Sequence, residues 1–246
     1  MNDKEADRLF DSILTKHENV LSRKILANFN QLTVLIKSIT KENGIVLGNI
    51  LILENQRKLE QILIEAYEKG ITSGVAFTRQ DLGLPEEKGI TEVLTRLSLW
   101  IRETAVDHAK ELTNTTINIF NKVLSKFKNQ GLEGDKLDSA VLRETVKRNR
   151  NRVGTIATTE AQTGLQQGIL TEAQVLQAQV LKRWRSQEDR SVRDTHARAN
   201  SRYRQEPIPL NQDFIVGGYA CSKPLDPRLP PEESINCRCY TRLTLP

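Results

Sequence analysis

The chain of 246 residues has little of what many architectures depend on. Aromatic side chains make up 5% of it, and there is a single methionine. So thin an aromatic content disfavours a β-sandwich and suits helices packed through leucine and isoleucine. Mean hydropathy is -0.47 and no run of about 18 apolar residues occurs, so no membrane span is encoded. The start, Met1-Asn2-Asp3-Lys4-Glu5, lacks the basic-then-apolar order of a secretory signal, and assembly in a cytoplasm is expected. Cysteine is limited to three residues, an odd number, with Cys237 and Cys239 one residue apart. A disulfide framework uses an even set at wider spacing, which leaves free thiols or metal ligands. There is no glycine-rich phosphate loop, nucleophile elbow or His-Glu-x-x-His helix, so the common signatures of an enzyme are missing.

What is present in quantity is helix-forming pattern. Apolar residues from Leu9 to Ile39 recur three or four apart, predicting one amphipathic helix over residues 5–41. A helix of that length suits a bundle arm or a partner contact. Gly44 to Gly48 reads as a break, with Asn49 capping a second helix that fades near Gly70 or Gly74. Asp81 to Pro85 reads as a loop and Thr91 as the start of a third helix, which either continues or bends into a fourth at Leu112 to Phe127, where threonines weaken helical propensity. Beyond the turn at Gly131 to Asp135 comes a helical stretch from Leu137, continuing in register past Arg152 to Gly168, with Glu160 a lone acid among threonines. After Val175 the pattern changes to short strands at 180–185, 214–216 and 240–245, with a short helix or turn at 188–200. The fold class expected is mainly α with a small C-terminal α+β module. Its organisation would be an elongated helical region, 1–130, and a terminal domain, 131–246, made of helices in 136–170 and an α+β module in 176–246.

Chemistry concentrates in the last sixty residues, which hold all three cysteines, His196 and seven of the eight prolines. Lys182 to Arg204 carries eight basic residues against Glu188, Asp189 and Asp194, and Gln205 to Asn236 is acidic by contrast. These halves are expected to pair with each other; the alternative is a DNA-contacting surface of Lys182, Arg183, Arg185, Arg198, Arg202 and Arg204. In an extended strand Cys237 and Cys239 point to one face, where His196 and Cys221 could complete a tetrahedral zinc set. The structural alternative is small buried thiols with His196 bonded to a carboxylate such as Asp189. The same residues allow a catalytic reading, with His196 as base, Asp189 orienting it, and Cys237 or Cys239 as nucleophile. A metal-dependent or Cys/His enzyme, or a nucleic-acid-processing factor, using this C-terminal module is thus the second functional reading, behind a structural one.

Read in order, the elements Arg152-Val153-Gly154-Thr155-Ile156-Ala157-Thr158-Thr159-Glu160, Trp184, Asp189-x3-Arg193-x2-His196, Phe214-Ile215-Val216-Gly217-Gly218, Pro224-x-Asp226-Pro227 and Asn236-Cys237-Arg238-Cys239 resemble the phage Mu F-like (head morphogenesis, minor head protein) family. The resemblance covers residues 115 to 246. It implies a structural minor capsid protein in the virion head of a tailed phage or prophage, associated with the portal and assembled in the host cytoplasm. Its role would be in head assembly and in DNA packaging or ejection. Implied partners are portal, capsid or scaffolding proteins, with oligomerisation through the portal vertex, and double-stranded DNA. Glu160, Trp184, Asp189, Arg193, His196, Asn236, Cys237, Arg238 and Cys239 would then form a structural framework, with no catalytic residue.

Overall fold

The computed structural model describes residues 1–42, 45–85, 90–176 and 180–245. Four long helices come first: α1 (Asp3–Glu42), α2 (Ile45–Leu82), α3 (Ile90–Asn129) and α4 (Gly134–Val175). A compact set of short elements follows: β1 (Leu181–Arg185), α5 (Asp194–Gln205), β2 (Ile208–Pro209), β3 (Phe214–Val216), β4 (Tyr219–Cys221), α6 (Pro231–Ser234) and β5 (Tyr240–Thr244). The expected class, mainly α with a small α+β terminus, is the one observed. Among the described residues no helix is long and apolar enough to cross a membrane.

Helix α1 opens on a capping box. Glu5 N–H donates to Asn2 Oδ1 and Asn2 N–H to Glu5 Oε2, both at 3.0 Å, satisfying two otherwise orphaned donors. The second helix departs from expectation at both ends. It starts at Ile45, so Asn49 lies inside it and caps nothing; Gly44 lies outside the described residues. It also runs through Gly70 and Gly74 to Leu82, because these glycines sit where α2 meets α4 at close range. A Cβ on Gly74 would lie 2.3 Å from Leu165 O, and one on Gly168 would lie 2.3 Å from Ile71 O. Glycine there permits backbone-to-backbone packing and does not end the helix. Of the two courses open to the third helix, continuation is the one observed, as one 40-residue element, α3, in which Thr116 Oγ1 returns to Leu112 O at 2.8 Å. Gly131, at φ 76, closes its C-terminus as Leu132 N–H reaches back to Phe127 O at 3.1 Å.

The described contacts divide the chain into two interleaved units. One combines residues 1–19, 66–98 and 155–246; the other combines 20–65 and 99–154. In the second, Leu32, Ile36, Phe120, Val123, Leu137 and Val141 form the core. Arg152 covers Phe29 at 4.2 Å and donates to Thr116 Oγ1.

In the first unit the beginning of α1 is bound to the terminal strand. Phe10 stacks on Tyr240 with centroids 4.1 Å apart, and Phe77 meets both rings edge-on. Asp3, Asp7 and Asp11, spaced by four, lie on one side of α1 and face a set of arginines. Arg185 reaches Asp7 at 2.6 Å and Asp3 at 3.3 Å, Arg242 pairs with Asp3 and with Asp81 at 2.7 Å, and Arg238 pairs with Asp11. Tyr240 Oη completes the ladder by donating to Asp7 at 2.7 Å.

The terminal sheet has order β2-β1-β5, all antiparallel, with Trp184 opposite Thr241. An open edge on β5 would leave backbone groups unpaired, and α4 supplies them with partners. Gln162 Nε2 donates to Cys239 O at 2.7 Å, Gln166 Oε1 accepts from Thr241 N at 3.0 Å, and Thr159 Oγ1 accepts from Asn236 N at 3.1 Å. The polar, threonine-rich face of α4 is therefore an interior face.

Candidate functional site

Helix α5 begins at Asp194, later than the short helix or turn expected from Glu188, and extends to Gln205. His196, Ala199, Asn200 and Tyr203 form its buried stripe, a helical 3–4–7 spacing that turns His196 inward. Opposite, Asn236 takes a left-handed conformation at φ 59, a backbone that asparagine tolerates. This bend sends Cys237 and Cys239 into the interior and Arg238 outward to Asp11. The alternation expected of a strand operates here, although β5 itself starts one residue later, at Tyr240.

The result is a buried cluster. His196 Nδ1 lies 3.3 Å from Cys239 Sγ and 3.5 Å from Cys237 Sγ, and the three ligand-capable atoms fall within 4.8 Å of one another. All three cysteines are free thiols. The two clustered thiols are unequal: hydrogen bonding from Cys239, followed by that from His196, pulls Cys237 well below the ordinary thiol range, while Cys237 and burial push Cys239 up. Trp184, fully buried, meets the imidazole edge-on at 5.3 Å and Phe214 at 5.5 Å.

The carboxylate beside the imidazole is Glu233, not Asp189. Glu233 Oε2 sits 2.9 Å from His196 Nε2, off the ring N–H axis, and accepts from Thr195 Oγ1 at 2.8 Å. Asp189 is exposed, accepts from Ser191 N at 2.8 Å and stands 3.9 Å from Arg238. Gly217 makes room for Glu233: it is left-handed at φ 61, and a Cβ on it would come within 2.4 Å of Glu233 Oε1. A cleft of ≈ 340 Å³ opens onto the cluster, bordered by Asp189, Ser191, Arg193 and Asn236.

Two residues expected in the constellation lie elsewhere. Glu160 is buried on α4 and accepts from Tyr67 Oη at 2.5 Å. Cys221 belongs to β4, paired with Phe214, and burial pushes its thiol up to about 12. The basic residues also separate. Lys182 and Arg185 are buried, the first donating to Ser222 O at 2.8 Å and the second held by α1. Arg204 is exposed and bonds Asp3 at 2.9 Å; Arg198 and Arg202 are exposed on α5.

The Pro224-x-Asp226-Pro227 motif is the anchor of the loop between β4 and α6. Buried Asp226 accepts from Ser222 N at 2.7 Å, Ser222 Oγ at 2.8 Å and Arg228 N at 3.0 Å, and Arg228 Nη2 lies 2.8 Å away. Burial works against the charge, but these donors win and hold the carboxyl far below its usual value of 3.8. A depressed folded pKa contributes stability that is complete above the unfolded value and is lost as pH falls through the folded one. Asp226→Asn should therefore cost about 1–3 kcal/mol at neutral pH, and the cost should shrink below about pH 4. Urea midpoints at pH 7 and pH 3 measure it; an equal loss at both would refute the charge argument.

These motifs coincide with a match to the family described as Phage Mu protein F like protein, over residues 119–242. That span is half of the chain, and the protein belongs to this family. It is a phage head morphogenesis protein, a component of the head that works with other head proteins, in a family that is typically structural. No curated protein and no solved structure shows significant similarity to the chain.

Proposed function

We propose that this protein is a minor component of a tailed-phage head, seated at the portal vertex, where it acts in head assembly and in packaging or ejection of DNA. The supporting observation is the family match over residues 119–242, the span that contains the buried framework of His196, Trp184, Cys237, Cys239 and Asp226. His196, Cys237 and Cys239 are themselves 1%, 2% and 4% exposed, which suits a structural part better than a site that must admit a polymer substrate.

The helices of the second unit are the docking elements. Val20, Val34, Ile50, Leu53, Leu99 and Val106 are large apolar side chains left exposed on them, and a neighbouring head protein would cover such positions. Arg198 and Arg202, four apart on α5, are the cations positioned for DNA, giving weak binding that a modest rise in salt abolishes.

The test is assembly of heads from portal, scaffold and major capsid protein together with the full chain. The chain should co-purify with heads that contain portal and be absent from portal-free shells. Leu53→Glu with Leu99→Glu should prevent its incorporation while Arg198→Glu with Arg202→Glu should not. Equal recovery with portal-free shells would overturn the portal assignment, and absence from all heads would overturn the reading as a whole.

A further inference from the structure

We infer that His196, Cys237 and Cys239 form a binding site for one thiophilic divalent cation, zinc, with Glu233 orienting the histidine from behind. The geometry supports this closely. Zinc held tetrahedrally by a nitrogen at about 2.0–2.1 Å and a sulfur at about 2.3 Å requires those two atoms to be about 3.6 Å apart. The Nδ1 to Sγ distances are 3.3 and 3.5 Å. The three side chains are at least 96% buried, with exposures of 1%, 2% and 4%, so the ligands are fixed by packing before any ion arrives.

The back of the imidazole has the arrangement a metal-ligating histidine uses. Coordination through Nδ1 leaves the proton on Nε2, and Glu233 Oε2 stands 2.9 Å from that nitrogen with Thr195 holding the carboxylate. Nε2 is buried and makes no aligned hydrogen bond, and Glu233 Oε2 is the carboxylate oxygen beside it. Two thiolates and a neutral imidazole balance the charge of the cation, and sulfur–nitrogen donor sets select zinc over magnesium or calcium. The cleft of ≈ 340 Å³ in front of the cluster has room for a water as fourth ligand. Cys221, in its separate place on β4, takes no part.

Binding would join α5, the turn after α6 and the entry to β5, adding to the Arg193–Ile235 O and Thr195–Glu233 hydrogen bonds between them. Since such a site does not exist in the unfolded chain, its binding energy adds to folding.

The experiment uses the full chain, purified without chelator and with thiols reduced. Metal analysis should give about one zinc per chain, and exchange for cobalt should produce the visible bands of a tetrahedral thiolate complex. Cys221→Ser should keep both signals, and Cys237→Ser with Cys239→Ser should lose them. Glu233→Gln, which leaves all three ligands, should weaken zinc affinity about 10–100-fold in competition with a chromophoric chelator. The unmutated chain decides the matter even where the cysteine variants fail to fold. A folded, reduced chain that takes up neither zinc nor cobalt overturns the site, as does a cobalt spectrum that survives loss of both cysteines.

Discussion

Gly74→Ala and Gly168→Ala are each expected to destabilise the protein by about 1–3 kcal/mol or more, although alanine is the better helix former by about 1 kcal/mol. In both cases the added methyl would meet backbone at 2.3 Å, a carbonyl oxygen that cannot rotate away as a side chain would. Helices α2 and α4 would have to part at this crossing. Gly154→Ala is the control, because that glycine lies in the same α4 and a methyl added there would have nothing within 4 Å. It should raise stability by about 1 kcal/mol through propensity alone. Thermal and urea unfolding of the three variants measures the difference. Gly74→Ala or Gly168→Ala matching the parent would show that the two helices do not pack at this distance.

Arg79→Leu is expected to cost about 3–5 kcal/mol, the other large effect. Arg79 Nε bonds Glu172 Oε1 at 2.7 Å, with side-chain exposures of 7% and 0%, and Arg79 Nη1 also donates to Pro85 O at 2.9 Å. Burial already pushes the Glu172 carboxyl up against the opposing pull of Arg79. Removing the guanidinium leaves a desolvated carboxylate without a counter-ion. An acid whose folded pKa is raised favours the folded state when protonated, so the deficit should be largest at neutral pH and should shrink as pH falls toward the usual glutamate range. The double variant Arg79→Leu with Glu172→Leu should recover most of the loss, since an apolar pair has no charge to bury. Additive losses in the double variant would refute the pairing.

Helix placement is largely legible in the sequence because apolar periodicity is a local signal, and it predicts α1 to within two residues at each end. The departures have specific physical causes. Gly70 and Gly74 look like helix stops in isolation; their real partner is α4, ninety residues on, and only tertiary contact distinguishes a stop from a close crossing. The threonines that weaken helical propensity within α3 do not end it: Thr116 is buried and bonded to its own helix at Leu112 O. The cysteine–histidine cluster is legible from the one-residue spacing of Cys237 and Cys239. Its carboxylate is not: Glu233 lies in a proline-rich turn, where an acid in the first turn of a short helix reads as ordinary capping. Gly217, whose missing Cβ admits Glu233, is the one available hint. Nor can composition foretell that Lys182 and Arg185 point inward, because their partners, Ser222 O and the aspartates of α1, are distant in sequence.

The ladder between α1 and β5 has a bearing on how the protein is made. Arg238 and Asp11 are separated by 227 positions, and Arg242 and Asp3 by 239. At roughly 5–20 residues per second, a ribosome takes on the order of ten to fifty seconds to supply the arginines after the aspartates have emerged. Throughout that interval Phe10 lacks Tyr240 and Asp11 lacks Arg238. Chaperone binding at residues 3–14 should accordingly persist until the codons for β5 have been translated, and a stop codon ahead of Arg238 should leave the released chain a substrate for proteolysis.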